Sequence, residues 1–182
     1  DIDHITTQWF KAEGDLIFLV GQNEEELGGS EYLHTILGKT IGPVPYLNLH
    51  YEKLVQDTVL AAIKNGLVKS AHDCADGGLA VALAECCITN RDKMIGAQVH
   101  LNDNIRPDAL LFGETQSRII VTAAKEKAEK LIEHCIAKKV PVTAIGRVGG
   151  ERLKIDNLID ISLVSLGSAY YNSLRNLLER VD

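Results

Sequence analysis

Residues 70–79 read SAHDCADGGL, and residues 80–88 continue as AVALAECCI. The first stretch places a histidine, a cysteine and two aspartates directly before a glycine pair, and the second is mostly small and apolar. A short apolar segment that enters a polar, glycine-containing turn and leaves it as an apolar run is typical of a strand, a turn and a helix. We therefore predict a strand over 67–71 and a deeply buried helix over 78–89.

This strand and helix open a repeated order of elements. Strand 97–101 completes a first strand–helix–strand unit, and strand 117–123, helix 125–139 and strand 142–148 form a second. Two such units predict an α/β (α+β) fold with a ferredoxin-like double βαβ sheet that carries its helices on one face. Additional helices near the two ends of the chain are then expected to cover the other face.

Hydrophobic spacing predicts the elements before this core. The run DLIFLV predicts a strand over 15–20, and Ser30 and Gly38 are the expected N-cap and stop of a short helix over 31–37. Residues 41–50 contain two prolines and are predicted to be an extended connection. The helix that follows is expected to bury Tyr51, Leu54, Val55, Val59, Ala62 and Ile63.

The end of the chain is predicted to contain a hairpin and a last helix. Gly149–Gly150 would form a two-residue turn between strand 142–148 and a return strand ERLKI. One more strand is expected over 160–164, followed by a helix from Ser168. That helix is predicted to bury Tyr171, Leu174, Leu177 and Leu178. Helix 125–139 is predicted to bury Ala128, Leu131, Ile132, Cys135 and Ile136.

The composition is that of an ordinary globular protein. The 182 residues are 46% hydrophobic and 24% charged, and the net charge of −6 argues against a nucleic-acid partner. No apolar run reaches the roughly 18 residues of a membrane span, and no signal peptide opens the sequence. Four cysteines fit no zinc or redox spacing, which predicts buried, reduced thiols and a cytoplasmic location.

The length suits one domain or one domain with an extension. We expect residues 1–13 to be a linker or the tail of a preceding domain, and residues 14–182 to form the domain itself. The sequence starts at Asp1 rather than at methionine. We therefore expect a fragment of a longer protein, whose active site is shared with other parts of that protein.

The turn of the opening stretch has two interpretations. Asp76 is a candidate N-cap, and Gly77 and Gly78 would let a ligand approach the free N–H groups that bind anions at a helix start. Asp73 could then hold Mg²⁺ against a phosphate seated there. In the other interpretation, Asp73 and Asp76 only complement the helix dipole.

A second polar turn lies in LFGETQSRII, residues 111–120. Arg118 offers a guanidinium fork for a phosphate or carboxylate, and Gln116 could hydrogen-bond an amide. The alternative is a solvated turn with an Arg–Glu pair. No Ser–His–Asp or Cys–His arrangement is supported by spacing, and His72 and Cys74 are expected to be packing residues.

Four segments, taken in order, resemble the phosphoribosylformylglycinamidine synthase family. They are GGSEYL (28–33), GLVKSAHDCADGGLAVALAE (66–85), LFGETQSRIIV (111–121) and IGRVGG (145–150). The pairing of HDCADGGLAVALAE with FGETQSRI favours this family over relatives such as aminoimidazole ribonucleotide synthetase. From about Gly14 to the end, the chain resembles the C-terminal domain of the second half of the duplicated synthetase.

The resemblance implies an ATP-dependent ligase of purine biosynthesis that also needs Mg²⁺. The family converts formylglycinamide ribonucleotide to its amidine with ammonia from glutamine: ATP activates the amide oxygen as a phosphate ester, ammonia attacks, and phosphate leaves. The implied partners are the preceding domains of the same chain, a glutaminase subunit or domain, and the small-molecule ribonucleotide substrate. The domain is expected to be inactive alone.

The resemblance also implies site residues, by matching this chain to the first half of the family. Asp73 matches a magnesium ligand, and Thr115 stands where the substrate-contacting turn has serine. The implied cofactor-binding residues are Asp73, Asp76, Gly77 and Gly78. The implied substrate-binding residues are Glu114, Thr115, Gln116 and Arg118. The family's catalytic histidine lies outside this type of domain, so the resemblance implies no catalytic residue here. The alternatives are a structural or allosteric module that holds a nucleotide without consuming it, and a domain of a related superfamily member.

Overall fold

The computed structural model describes residues 2–179, which form one mixed sheet with helices on both faces. After a 3-10 turn at Ile2–His4, the elements in chain order are β1 (Leu16–Val20), α1 (Glu31–Leu37), α2 (Leu49–Lys64), β2 (Ser70–Asp73), α3 (Gly78–Ile88), β3 (Ala97–Val99), α4 (Pro107–Phe112), β4 (Ile119–Ala123), α5 (Ala128–Ala137, after a 3-10 turn at Lys125–Lys127), β5 (Val142–Val148), β6 (Arg152–Ile155), β7 (Ile159–Ser162) and α6 (Leu163–Leu178). The strand order is β2-β4-β1-β5-β3-β6-β7. Neighbouring strands are antiparallel except β3 and β6, which are parallel.

Strand β1 lies in the middle of the sheet and is buried on both faces. Ile17 and Leu19 belong to one apolar core, which includes α3 residues and Leu163 at the start of α6. Phe18 and Val20 belong to the other core, which α2 and α5 cover. An uninterrupted apolar run such as DLIFLV is what a strand needs when helices cover both of its faces. The α+β class and both strand–helix–strand units are therefore confirmed.

The arrangement of the helices differs from the prediction. The helices of the two units, α3 and α5, pack in different cores, on opposite faces of the sheet. The prediction that the helices of the βαβ units share one face is therefore wrong. Helix α2 joins α5 on one face, and α6 joins α3 on the other.

The predicted hairpin at Gly149–Gly150 is also wrong. Strand β3 lies between β5 and β6, so the two glycines carry the chain past the start of β3. The Gly96 amide donates to the Gly150 carbonyl at 2.7 Å, and the Gly149 amide donates to the Gly96 carbonyl at 2.8 Å. A Cβ on Gly96 would lie 2.3 Å from the Arg152 carbonyl oxygen, so this close crossing requires glycine.

Several predicted bounds and burial patterns need correction. The strand predicted at 67–71 runs from Ser70 to Asp73, and the last helix begins at Leu163 rather than at Ser168. Tyr171 is partly buried and donates its hydroxyl proton to the Ile88 carbonyl, whereas Leu174, Leu177 and Leu178 are exposed because that part of α6 extends past the core. On α5, Leu131 and Cys135 are buried, but Ile136 lies one position further round the helix and is exposed.

The N-terminal segment packs against the domain. Phe10 is buried in the same core as α3, and its amide donates to the Cys86 carbonyl at 2.9 Å. The Ala71 amide donates to the Thr7 carbonyl at 3.3 Å, so this segment also contacts the edge strand β2. The domain boundary at residue 14 stays a prediction, and these contacts attach residues 7–10 to the domain.

We expect Phe10→Leu to lower the free energy of unfolding by about 1–2 kcal/mol, because the smaller side chain leaves part of a closed core site unfilled. Urea denaturation followed by circular dichroism measures this change. Ile5→Val is the control, because Ile5 is largely exposed on the same segment and should change stability by less than about 0.5 kcal/mol. Equal, small effects of the two substitutions would show that residues 1–13 behave as a linker.

The described residues contain no helix that is long and apolar enough to cross a membrane. All four cysteines, Cys74, Cys86, Cys87 and Cys135, are free thiols and buried, as predicted. Burial raises the pKa of Cys74 to about 11 and that of Cys87 to about 12. These thiols are therefore protonated at neutral pH and serve as small apolar packing groups.

Candidate functional site

The candidate site lies at one end of the sheet, where three connections meet. Strands β1 and β2 both run antiparallel to β4, so their carboxyl ends lie beside the amino end of β4. The Cys74 amide donates to the Arg118 carbonyl at 3.0 Å and joins the turn after β2 to the turn before β4. Between them is a cavity of about 490 Å³ lined by Glu52, Gln56, Asp73, Cys74, Ala75, Asp76, Glu114, Gln116, Ser117, Arg118 and Ile119.

The cavity brings together residues that are far apart in the sequence. Of the predicted site residues, Asp73, Asp76, Glu114, Gln116 and Arg118 all line it. A second cavity of about 570 Å³ shares Gln116 and Ser117 with the first. It extends past the loop after β1, which contributes three glutamates, to Tyr46 and Asn48. Two polar hollows thus meet at the 114–117 turn.

Asp73 has an accessible carboxylate, as the prediction requires. Its side chain is 73% exposed, and its Oδ1 lies 3.5 Å from Nδ1 of His72. Asp76 is exposed on the same turn. Within residues 2–179, no three His, Cys, Asp or Glu side chains are grouped closely enough to hold a metal ion by themselves. Mg²⁺ commonly takes one or two protein carboxylates and completes its shell with phosphate oxygens and water, so this donor set fits it.

The charge of the cavity also favours a cation-bound ligand over a bare anion. Four of its lining residues are acidic: Glu52, Asp73, Asp76 and Glu114. The basic lining residue, Arg118, uses its guanidinium inside the protein. A free phosphate would be repelled by these carboxylates, whereas a phosphate that arrives with Mg²⁺ would not.

Glu114 connects the starts of two helices. Its Oε1 accepts a hydrogen bond from the Gly77 amide at 2.8 Å and another from the Glu31 amide at 2.9 Å. Gly77 is the N-cap of α3, and Glu31 is the first residue of α1. A carboxylate near the partly positive start of a helix is favourable. The carboxylate of Glu114 therefore occupies the anion position at the helix start, where the sequence suggested that a ligand phosphate would bind. This contact spans 83 residues to Glu31 and has no local sequence signal.

The glycine pair therefore has a packing role in this structure. The prediction that Asp76 caps α3 is wrong, because the N-cap is Gly77 and no side chain of the same turn bonds the helix start. Gly77 and Gly78 are buried. A Cβ on Gly78 would lie 2.5 Å from the Gly113 carbonyl oxygen. The predicted contact of these glycines with a phosphate gains no support from their placement, and the accessible residues of the turn are Asp73, Ala75 and Asp76.

We expect Glu114→Ala to lower the free energy of unfolding by about 2 kcal/mol, because it leaves two helix-start amides without their acceptor. Glu114→Gln keeps an oxygen that can accept both hydrogen bonds, so its expected cost is below about 1 kcal/mol. Thermal unfolding of both variants measures the difference. Equal costs for Ala and Gln would show that the negative charge, rather than the two hydrogen bonds, stabilises the turn.

The other residues of the 114–117 turn divide into inward and outward groups. Thr115 is buried and donates its hydroxyl proton to the Glu24 carbonyl at 3.3 Å, so it joins the two loops. Gln116 is exposed to both cavities, and its amide nitrogen donates to the Glu114 carbonyl at 3.1 Å. Gln116 is the member of the predicted substrate-binding set that is best placed to meet a ligand.

Arg118 lies beneath this turn and is 2% exposed. Its Nε donates to the Thr115 carbonyl at 2.9 Å, one terminal nitrogen to Oδ1 of Asn23 at 2.8 Å, and the other to the Gly113 carbonyl at 2.6 Å. Burial lowers the pKa of the guanidinium from its ordinary value. A buried arginine therefore fixes the turn from the protein side. The turn is not the solvated one of the alternative prediction, and the guanidinium group is not free to bind a ligand.

His72 and Cys74 flank Asp73 and make structural contacts. Nε2 of His72 lies 2.7 Å from Oε2 of Glu85, which links β2 to α3. Cys74 is buried, and burial raises the pKa of its thiol, so a reactive thiolate is disfavoured. Both placements agree with the packing roles expected for these residues.

Glu52 and Gln56 of α2 line the cavity but were absent from the predicted site. Glu52 accepts a hydrogen bond from the Ser117 hydroxyl group and so connects α2 to the turn. Both residues lie on the outer side of an amphipathic helix, where polar residues are expected in any case. Their sequence pattern therefore gave no signal of a site.

The fold and this polar cavity define a domain of a known class. Residues 12–156 match the family described as AIR synthase related protein, C-terminal domain. The chain belongs to this family. Its relatives include the phosphoribosylformylglycinamidine synthase subunit PurL of Anaeromyxobacter sp. (strain Fw109-5), which is 41% identical over 99% of this chain and 24% of the relative. The PurL of Moorella thermoacetica is 42% identical over 94% of this chain and 24% of the relative.

Solved structures agree on the fold. T. maritima PurL complexed with FGAR has a TM-score of 0.77 and 20% identity, over 91% of this chain and 30% of that chain. T. maritima PurL complexed with ATP has a TM-score of 0.67 and 21% identity, over 91% of this chain and 27% of that chain. The resemblance predicted from the four segments is thus confirmed. The chain spans about a quarter of the length of the curated relatives it matches.

Proposed function

We propose that this chain acts as the C-terminal domain of the second half of a phosphoribosylformylglycinamidine synthase, where it supplies one wall of a nucleotide and Mg²⁺ site. The observation that carries this proposal is the cavity that joins Asp73 and Asp76 to the 114–117 turn. Identity of 41% to a PurL subunit over 99% of the chain supports the same assignment. It favours the synthase over other superfamily members such as aminoimidazole ribonucleotide synthetase.

The proposed parent enzyme converts formylglycinamide ribonucleotide to the amidine with ATP and ammonia. The amide oxygen bonds to the γ-phosphorus as ADP leaves, ammonia adds to the activated carbon, and that oxygen departs with phosphate. A bound Mg²⁺ would supply charge stabilisation for the phosphoryl group. We place no general acid or base on this domain, because His72 and Cys74 are engaged in packing.

Each site residue then has a distinct role in this chain. Asp73, with Asp76 beside it, offers accessible carboxylate oxygens toward the metal and phosphate side of the cavity. Gln116 offers an amide toward the substrate side. Glu114 and Arg118 hold the turn in place through hydrogen bonds inside the domain, which keeps Gln116 at a fixed distance from the aspartates.

A second candidate function is a structural module that holds a nucleotide without turning it over. It is favoured by the internal use of Glu114 and Arg118, because these are the charged groups of the turn and both already have partners in the domain. The two functions predict the same ligand and differ in whether its loss changes the rate or the stability. The substitution of Asp73 by asparagine separates them.

The direct test of the parent function is an assay of amidine formation with ATP, Mg²⁺, ammonia and formylglycinamide ribonucleotide. The full-length parent chain is expected to turn over, and the 182-residue chain alone is expected to show no turnover above the blank. Clear turnover by the 182-residue chain would contradict the proposal that the site is shared with other domains. Absence of turnover by the full-length chain would contradict the proposed reaction.

The proposed partners follow from the same assignment. The preceding domains of the parent chain would complete the site, and a glutaminase subunit or domain would deliver ammonia. One structural relative is described as PurLQS from Thermotoga maritima, an association that we extend to this chain only as part of the proposal. The four reduced, buried cysteines suit the cytoplasmic location that the sequence predicts.

A further inference from the structure

The turn between Glu114 and Arg118 contains a serine with a left-handed backbone. Ser117 has a φ of +60°, which costs energy for any residue with a Cβ. Of the residues that the structure describes, two others without glycine's freedom have a positive φ, Lys139 and Asp156. Lys139 follows the end of α5, where a left-handed residue is usual, and aspartate tolerates this conformation. Neither explanation applies to Ser117.

The surroundings of Ser117 hold it in this conformation. Its hydroxyl group donates to Oε2 of Glu52 on α2, and Oε1 of Glu52 accepts from Nε2 of Gln56 at 2.6 Å. On the other side, a Cβ on Gly21 would lie 2.2 Å from the Ser117 carbonyl oxygen, so the end of β1 lies directly against the turn. Glycine at 117 could adopt this backbone without cost but could not bond Glu52. Strained residues that are fixed in this way are concentrated at functional sites.

The conformation of Ser117 determines where its neighbour Gln116 points. Thr115 and Arg118 are both buried, so the two residues between them must carry the backbone out to the cavities and back. Gln116 and Ser117 line both cavities, and Gln116 is exposed there. A change in the backbone at Ser117 would therefore turn the side-chain amide of Gln116 in a different direction.

We propose that Ser117 is a positioning residue, which acts through its hydrogen bond to Glu52 to hold the side-chain amide of Gln116 toward the substrate. The proposal rests on the proposed function, in which Gln116 meets the ribonucleotide. Arg118 fixes the turn from inside the domain, whereas the Ser117–Glu52 pair fixes it from α2. A group that is held in place before the substrate arrives loses less entropy on binding, so the effect is on substrate affinity.

Calorimetric titration of the full-length parent protein with formylglycinamide ribonucleotide tests this role. Ser117→Gly keeps the left-handed backbone but removes the hydroxyl group, and we expect it to weaken binding about tenfold. Its melting temperature should change by less than about 2 °C, because relief of the strain offsets the lost hydrogen bond. In the amidine assay, the same variant should raise KM about tenfold and change kcat less than about twofold, as expected when only binding is lost.

Matched variants separate the hydrogen bond from the strain. Ser117→Ala removes the hydroxyl group but keeps the Cβ, so it should weaken binding as much as glycine does and melt about 2 °C lower than the glycine variant. Glu52→Gln keeps an acceptor oxygen and should bind within about twofold of the unaltered protein. Glu52→Ala should weaken binding about tenfold, and the double variant Glu52→Ala/Ser117→Gly no further, because both substitutions remove the same hydrogen bond.

Each outcome decides the question. Unchanged affinity for Ser117→Gly would overturn the positioning role, and so would losses that add in the double variant, since they would indicate that Ser117 meets the substrate directly. The affinities do not depend on catalysis. If the parent binds the ribonucleotide but forms no amidine, the proposed reaction fails and the weaker binding of the variants still supports the role of Ser117. Normal turnover with unchanged affinities overturns the positioning role alone, and absence of binding by the unaltered protein overturns both.

Discussion

Asp73→Asn in the proposed full-length synthase is expected to lower kcat for amidine formation about 100-fold, because the role proposed for Asp73 is to hold the metal against the phosphoryl oxygen. The asparagine side chain has nearly the same shape as aspartate but lacks the negative charge that attracts Mg²⁺. Because Asp73 is largely exposed, the loss of its charge should change the melting temperature by less than about 2 °C.

The control for this substitution is Asp92→Asn. Asp92 is exposed and does not line the cavity, so its rate and melting temperature should match those of the unaltered enzyme. A near-normal rate for Asp73→Asn, combined with a lower melting temperature and the loss of a tightly bound nucleotide, would instead identify a structural site. Initial rates across a range of Mg²⁺ concentrations, with melting curves on the same samples, distinguish these results.

Arg118→Met is expected to lower the free energy of unfolding by about 3 kcal/mol. Three buried oxygen acceptors, on Asn23, Gly113 and Thr115, would lose their donor at about 1–3 kcal/mol each. Removal of a desolvated guanidinium returns part of that energy, since burial already lowers the pKa of Arg118. Methionine keeps much of the apolar volume, so the loss of hydrogen bonds dominates.

Arg118→Lys is the matched variant for this experiment. Lysine keeps the charge but cannot reproduce the forked geometry that reaches three acceptors, so its expected cost is close to that of methionine. Urea unfolding at several protein concentrations measures both costs. A cost below about 1 kcal/mol for Arg118→Met would show that the turn relaxes without its arginine, and would contradict the view that this residue fixes Gln116 in place.

The sequence identified those features of the fold that depend on neighbouring residues. Helix α1 was predicted with its N-cap Ser30 and its stop Gly38, because capping is local chemistry between residues a few positions apart. The apolar run DLIFLV marked β1 as a strand. Helix α3 was predicted at nearly its observed bounds, because an apolar run of that length has few other ways to bury its surface.

Features that depend on contacts between distant residues could not be predicted in this way. The glycine pair after β5 has the sequence of a hairpin, but β3 occupies the position beside β5, and only the whole sheet determines that pairing. The cap of α3 comes from Glu114, 37 residues away from Gly77. Glu52 lies in the site because α2 packs beside the turn. A polar residue on the outer side of a helix is expected in any protein, so the sequence did not indicate that Glu52 lines a cavity.

Titration of full-length parent protein with a non-hydrolysable ATP analogue in the presence of Mg²⁺ tests the central claim most directly. Isothermal calorimetry gives the number of nucleotides bound per chain, for the unaltered protein and for Asp73→Asn. If the cavity beside Asp73 is one wall of a nucleotide and Mg²⁺ site, the variant will bind one nucleotide fewer, or bind it at least about tenfold more weakly, with any other site unchanged. The same number of nucleotides bound with the same affinity by both proteins would contradict the account.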